Sequence, residues 1–158
     1  MSKNPQNILA SILDRLIDHE PQVSREPVQQ RLLSFGQIKA AVIRDLENLL
    51  NTKSQILPVP PALKEVNDSV FVYGLRDFTA QSPKSPSTRH QLRQDIERAI
   101  AKFEPRLRNI TVHIDAPNQE KQTIRLRINA LLVVDPVTEP VTFDTYFDIN
   151  KGEYKIPK

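Results

Sequence analysis

Apolar residues recur along this chain first with the spacing of helices and later with the spacing of strands. Residues 7–18 have apolar side chains every three to four positions, which predicts an amphipathic helix that ends before Pro21. A second helix is predicted from about Ser34 to Leu50, with Ser34 able to cap it. A third is predicted to run to Phe103, with Ser87 or Thr88 able to cap it, and Pro105 ends it. The apolar stripe of the first helix consists of Leu9, Ile12, Leu13, Leu16 and Ile17.

After Pro105 the apolar period changes to two. Three segments, around residues 110–114, 124–134 and 141–149, alternate apolar with polar positions, which is typical of strands with one buried face. Turn residues at 118–119 and 135–136 separate them. Helices followed by a C-terminal meander predict an α+β fold in which the N-terminal helices pack on one face of an antiparallel sheet of about three strands. An open sheet of this kind has two edges that can template another chain's strand.

The chain is predicted to form a single domain over residues 1–158, with residues 1–31 as an arm made of the first helix and a linker. The segment from Gln22 to Arg31 is polar and contains Pro27, as expected of a linker. The apolar stripe of the arm needs a cover. Either the protein's own core or a partner can supply it, and the sequence leaves both open.

Composition excludes several classes of site. The chain has no cysteine and no tryptophan, so disulfides and thiolate ligands are excluded, and only three glycines are available for a phosphate-binding loop. The 22 basic and 19 acidic residues are interspersed and give a net charge of +3, which is unlike a nucleic-acid-binding face. No apolar run is long enough to span a membrane. We expect a cytoplasmic protein without cofactor, metal site, nucleic-acid partner or membrane insertion.

The stretch Phe103-Glu104-Pro105-Arg106-Leu107 places a glutamate at the end of the third helix, where the helix dipole disfavours negative charge. One interpretation is structural: proline fixes a helix-to-strand corner and Arg106 neutralises Glu104. The other makes Glu104 a general acid that works with Asp95 or Glu97, as in glycoside hydrolysis. Nothing else in the sequence indicates a sugar-binding cleft, so the structural interpretation is favoured. Arg125 and Arg127, on the polar face of the second strand, could meet an acidic partner or simply be solvated.

Several segments together resemble TssE, the family of baseplate wedge subunits of the type VI secretion system, which is related to the small wedge protein of contractile phage tails. They are S-I-L-D-R-L-I-D (residues 11–18), I-R-D-L-E-N-L-L-N-T (43–52), S-V-F-V-Y-G-L-R-D-F (69–78), F-E-P-R-L (103–107) and F-D-T-Y-F-D-I-N-K-G (143–152). The chain departs from the family pattern at Lys53, where arginine is common, and at Arg76, where proline is common.

The resemblance implies a non-enzymatic structural protein that joins wedge subunits and anchors the first ring of the contractile sheath, so other wedge subunits and sheath subunits are the expected partners. Glu104, Pro105, Arg106 and Leu107 match the family's structural or interface motif. The first helix is the expected wedge-docking element. The expected sheath-facing positions on the sheet are Arg125, Arg127, Phe143, Tyr146 and Phe147. Two alternatives stay open: a soluble adaptor that binds a single regulatory partner, and a muramidase-like hydrolase, since the family carries a "lysozyme-related" label.

Overall fold

The chain divides into two compact units, Met1–Arg44 and Asp45–Lys158. The computed structural model describes residues 8–9, 11–16, 21–22, 32–55, 57–78, 85–116, 123–134 and 137–157. The predicted single domain with an arm at residues 1–31 stays a prediction, and each unit is described by itself.

The first unit contains two short strands and a short helix. Strand β1 (Ile8–Leu9) pairs antiparallel with β2 (Leu32–Leu33), and helix α1 spans Ile12–Leu16. The helix begins at Ile12, later than the predicted residue 7, because Ser11 caps it: the Ser11 Oγ accepts a bond from the Asp14 amide at 3.2 Å and donates to the Asp14 carboxylate at 2.6 Å. The prediction that Leu9 belongs to the first helix is wrong, because Leu9 lies in β1. Ile17 and the side chain of Leu13 fall outside the described residues.

Helix α2 (Phe35–Asn51) begins at the predicted cap. The Ser34 amide donates to the Gln37 side chain at 2.8 Å, and the Gln37 amide donates to the Ser34 hydroxyl at 3.3 Å, which together form a capping box. The boundary between the two units falls inside α2, and the apolar stripe of the helix is buried on both sides of that boundary. The buried residues are Ile38, Ala41, Val42 and Ile43 in the first unit and Leu46, Leu49 and Leu50 in the second.

Between α2 and the last helix the second unit contains a short helix α3 (Lys64–Asn67) and a 3-10 helix (Val70–Val72). Helix α4 spans Pro86–Phe103. It begins two to three residues before the predicted start, with Pro86 in its first position, where a proline's missing amide removes no intrahelical bond. Ser85, instead of Ser87 or Thr88, occupies the N-cap position, and its side chain makes no capping hydrogen bond to the helix.

The second unit ends in a four-stranded antiparallel sheet. Its strands are β3 (Leu107–Ile114), β4 (Thr123–Val134), β5 (Val137–Asp148) and β6 (Glu153–Lys155), in the spatial order β3-β4-β5-β6. The three predicted strands are present and β6 is additional. A turn through Gly152, which has a positive φ of 67°, leads into it. The turns predicted at 118–119 and 135–136 lie outside the described residues.

One face of the sheet forms the core with α4, which packs beside β3. Alternate residues of β4 are buried as the period of two predicts, and Leu92, Ile96 and Ile100 of α4 are buried with them. The predicted α+β class is thus confirmed, with four strands instead of about three. Among the described residues, no helix has the length and apolar character that crossing a membrane requires.

Candidate functional site

The Glu104–Arg106 corner joins the last turn of α4 to the first residue of β3. The Glu104 amide still donates to the Ile100 carbonyl at 2.9 Å, and its own carbonyl accepts from the Leu107 amide at 3.1 Å. The Arg106 carbonyl already accepts from the Val133 amide of β4 at 2.8 Å. Pro105 and Arg106 alone separate the Glu104 cap of α4 from the first residue of β3, and Pro105 is exposed. The corner is fixed by backbone bonds at both ends.

Arg106 binds two carboxylates at this corner. Its Nε and Nη2 donate to the two oxygens of Glu104, each at 2.6 Å, and Nη2 also donates to Asp45 of α2 at 2.5 Å. Glu104 is only 4% exposed, whereas the Arg106 and Asp45 side chains retain partial access to solvent. A planar guanidinium suits this two-point geometry, which a lysine cannot reproduce. The structural interpretation of Glu104 and Arg106 therefore agrees with the geometry.

The charges at the corner act on their neighbours. The hydrogen bonds that Arg106 donates to Glu104 raise the pKa of Arg106 above its ordinary value, and Asp45 adds to this, although burial works in the opposite direction. Tyr73 packs its ring edge-on against Phe103, with centroids 5.1 Å apart. Burial, together with the negative charges of Asp45 and Glu104, raises the pKa of the Tyr73 phenol. Glu104 thus tolerates the negative end of α4 because a guanidinium holds both of its oxygens.

A second fixed point lies where the loop before α4 meets the end of α2. The Leu75 amide donates to the Thr52 carbonyl and the Ser54 amide to the Leu75 carbonyl, both at 2.8 Å. Gly74 passes this point with a φ of 108°, and a Cβ on it would lie 2.4 Å from the Thr52 carbonyl oxygen. Glycine is required there, both for the backbone angle and for the close approach.

The two positions that depart from the family pattern make ion pairs in this loop. Arg76 donates to both oxygens of the buried Asp95 on α4, at 2.7 and 2.8 Å. Lys53 binds Asp77 at 2.8 Å on the surface. Arg76 therefore ties the loop to α4. Asp95 and Glu97, the carboxylates considered as catalytic partners, are also engaged: Asp95 with Arg76, and Glu97 with a backbone amide of β3.

The first helix exposes part of its predicted docking stripe. Ile12 is 77% and Leu16 is 76% exposed, although both are large apolar side chains. Asp14 of the same helix pairs with Arg44 of α2 at 2.8 Å. The stripe is thus left uncovered at two of its positions within the described part of the chain.

The polar face of the sheet carries Arg125, Arg127 and Tyr146. Both arginines donate to one oxygen of Asp144, at 3.2 Å each. The bond from Arg127, followed by that from Arg125, lowers the pKa of Asp144. Tyr146 lies opposite Arg125 in the ladder and is 38% exposed. These three predicted positions share one accessible face.

Two predicted sheath-facing positions are corrected by the structure. Phe143 is 2% exposed. Phe147 lies four residues further along β5 and therefore on the same face of the sheet, which is the face toward the core. The Phe147 ring packs on that of Tyr154, with centroids 4.6 Å apart. Residues two apart on a strand share a face, so neither ring can belong with Tyr146 on the polar face.

Sequence reasoning missed the side chains that bind the two edges of the sheet. Asn51 of α2 bonds both backbone groups of Tyr154 in β6, accepting from its amide at 2.7 Å and donating to its carbonyl at 3.0 Å. Glu47 accepts from the Ile156 amide at 2.7 Å, and Glu97 of α4 accepts from the Val112 amide of β3 at 2.9 Å. A polar residue on the helix face that meets a strand edge could indicate such a contact. That face can be recognised only once the packing of the helix against the sheet is known.

Metal ligation is not indicated by the part of the chain that the structure describes, which contains no cluster of three or more His, Asp or Glu side chains placed to hold an ion.

Comparison with known proteins identifies one family. The family model described as "Baseplate wedge protein gp25" matches residues 36–137, a span that contains α2 from its second residue, the Gly74 turn, α4, the Glu104–Arg106 corner and β4. Among curated proteins, none matches the chain. A chain from "The baseplate complex from the type VI secretion system" is similar in structure, with a TM-score of 0.48 and 21% identity. The similarity covers 70% of this chain and 94% of that chain.

Proposed function

Because the chain belongs to the baseplate wedge protein gp25 family, we propose that it is a structural subunit of a type VI secretion baseplate, where it joins wedge subunits and anchors the contractile sheath. The observation that carries the proposal is the family match over residues 36–137. The type VI assignment rests on the five sequence segments given above. In this proposal the protein is cytoplasmic and has no catalytic role.

The Glu104–Arg106 corner acts in this proposal as a rigid joint. It connects α4 to the sheet and, through Asp45, to the C-terminal half of α2. A joint of this kind keeps the surfaces that contact different partners at a constant angle while the sheath contracts. Leu107, the last residue of the E-P-R-L motif, is buried and begins β3, so it belongs to the core side of the joint.

The exposed stripe of the first helix is the proposed wedge-docking element. Exposed leucine and isoleucine side chains on one short helix keep apolar surface in contact with water until a partner covers them, and that burial is favourable. Ile12 and Leu16 are therefore the proposed anchors, with Leu13 and Ile17 as further members of the docking helix.

The geometry at Glu104 does not favour the hydrolase alternative. A general acid must present a proton to its substrate, but both Glu104 oxygens are bound by Arg106 and the carboxylate is buried. If the protein were a muramidase, purified protein would clear peptidoglycan and Glu104→Gln would abolish the clearing. We expect no clearing by either protein.

The docking proposal is tested with one charged substitution and a matched control. Leu16 and Leu57 are both 76% exposed leucines, and only Leu16 lies on the docking helix. Leu16→Glu is expected to reduce recovery of wedge subunits with the tagged full chain by tenfold or more, as measured by quantitative mass spectrometry. Leu57→Glu is expected to leave recovery unchanged. Equal recovery by wild type and Leu16→Glu would remove the first helix from the proposal.

A further inference from the structure

The connection between α2 and α4 contains a proline segment, residues 57–61 (L-P-V-P-P), that forms neither helix nor strand. Proline fixes its own φ near the polyproline II value, and a residue that precedes proline is held away from the helical region. Each of the five residues is subject to at least one of these constraints, because Leu57, Val59 and Pro60 precede a proline. The sequence therefore favours a polyproline II conformation over the proline segment.

Burial along the proline segment follows the period of that conformation. A polyproline II helix has about three residues per turn, so Leu57 aligns with Pro60, and Pro58 aligns with Pro61. Both of these edges are exposed, and the Leu57 side chain is 76% exposed. Val59, on the third edge, is half-buried. The segment thus lies on the protein through Val59 and presents two apolar edges to solvent.

The backbone of the proline segment offers hydrogen-bond acceptors and few donors. Its three prolines have no amide hydrogen. The Pro60 carbonyl accepts from the Leu63 amide and from the Asn67 side chain, both at 3.0 Å. Among the described residues, the carbonyls of residues 57–59 accept no hydrogen bond. A partner that fits this segment therefore supplies hydrogen-bond donors beside an apolar surface.

Hydrogen bonds hold the end of the proline segment in place. Asn67 of α3 donates to the carbonyls of Pro60 and Leu63, at 3.0 and 2.9 Å. The carbonyl of Asn67 in turn accepts from the Lys102 ammonium of α4. The segment is thereby tied through α3 to α4. A ligand that is already held in one conformation loses less entropy when it binds, so this arrangement favours recognition.

Aromatic side chains that carry hydrogen-bond donors match these features. Aromatic-lined grooves bind polyproline II segments, because flat rings pack on proline while the phenol of tyrosine and the indole of tryptophan can donate to carbonyls. A second copy of this chain offers no such groove, since it has no tryptophan and three tyrosines. Tyr154 is buried and Tyr73 packs against Phe103, which leaves Tyr146 as the exposed tyrosine. The occupant is therefore a different protein.

We propose that the proline segment is the binding site for a partner domain whose groove is lined by tryptophan and tyrosine. The two exposed edges of the segment fill adjacent sub-pockets of the groove, and donors in the groove bind the carbonyls of residues 57–59. This inference goes beyond the proposed baseplate role, because it concerns a surface that neither the docking helix nor the rigid joint includes.

Photo-cross-linking tests whether such a groove covers the segment. The chain contains no cysteine, so purified full chain can be labelled at one introduced cysteine and added to an extract of the producing cells. Ala62→Cys places the label beside the intact segment, and Glu153→Cys places it on β6; both positions are exposed. We expect the first label, and not the second, to cross-link to partner peptides that contain tryptophan or tyrosine. Absence of a cross-linked partner, or cross-links to a region without these residues, would overturn the proposal.

Calorimetry with the purified cross-linked partner measures the contribution of the prolines. The double variant Pro58→Ala with Pro60→Ala removes one ring from each exposed edge and should weaken binding by about tenfold or more. Pro157→Ala, at an exposed proline outside the segment, should leave binding unchanged. Equal affinity of wild type and the double variant would overturn the proposal. So would equal affinity for a partner whose cross-linked aromatic residue is replaced by alanine, a comparison that leaves the fold of this chain untouched.

Two variants separate this inference from the proposed function. Leu57→Glu should lose the groove partner and keep the wedge subunits, whereas Leu16→Glu should do the reverse. Recovery of the groove partner without wedge subunits by wild type would reject the baseplate role and leave this inference standing. Recovery of wedge subunits without a groove partner would reject this inference alone. Loss of wedge subunits in Leu57→Glu would overturn the claim that the proline segment is a separate binding site.

Discussion

Replacing Arg106 by alanine is the sharpest perturbation of the rigid joint. The substitution removes the two bonds to Glu104 and the bond to Asp45 at once. Glu104 is 4% exposed, so water cannot take the place of the guanidinium without opening the corner. The variant therefore leaves a buried carboxylate at the negative end of α4 with no counter-charge from Arg106.

Removing one partner of a buried ion pair costs about 3–5 kcal/mol of the free energy of unfolding, because the remaining charge stays desolvated. For a chain of this size, that loss corresponds to a fall in melting temperature of about 6–20 °C. Asp45→Asn is the milder comparison: it leaves the Glu104–Arg106 fork in place at a partly exposed site, so about 1 kcal/mol is expected.

Urea-induced unfolding followed by circular dichroism measures these free energies. The double variant Glu104→Gln with Arg106→Ala removes the buried charge as well, so it should be less destabilised than Arg106→Ala alone. A loss below about 1 kcal/mol for Arg106→Ala would refute the reasoning. So would a double variant whose loss equals the sum of the two single losses, since the two residues would then be uncoupled.

Two further predictions concern the Gly74 turn and the buried phenol of β6. Gly74→Ala places a Cβ 2.4 Å from the Thr52 carbonyl oxygen and should lower the free energy of unfolding by about 2–4 kcal/mol in urea titrations. Gly152→Ala, which meets no atom within 4 Å, should cost about 1 kcal/mol, and equal losses would contradict the proposed clash. Burial raises the pKa of Tyr154 above its ordinary value of 10.0, so the unfolded chain releases the phenol proton first and stability should fall as the pH rises above about 10. Tyr154→Phe should make that fall less steep in unfolding measured between about pH 9 and 12, and an unchanged slope would show that Tyr154 does not contribute to it.

Much of the second unit could be predicted because its periodic segments are long. The alternation in β4 and β5 and the apolar stripe of α4 each extend over many residues, and burial follows them. The same alternation already separates Phe143 and Phe147 from Tyr146, so the grouping of these residues on one surface contradicted the period that predicted the strand.

The rest depends on contacts between distant parts of the chain. Strand β6 has only three residues and one apolar side chain, too little for a periodic signal, and it is held in place by Asn51 about a hundred residues away in sequence. The two-residue strand β1 interrupts an apolar run that reads as helical, because pairing with β2 outweighs the local pattern. At the corner the pairing of Glu104 with Arg106 could be predicted from their proximity in the chain, but the participation of Asp45 could not.

The measurement that tests the central claim most directly is affinity purification of the tagged full-length chain from cells that produce it, with the co-purifying proteins quantified by mass spectrometry. A structural wedge subunit should recover the other wedge subunits and the contractile sheath protein at reproducible ratios. Recovery of one unrelated protein at a constant ratio, with neither wedge nor sheath protein, would contradict the claim and favour an adaptor that binds a single partner.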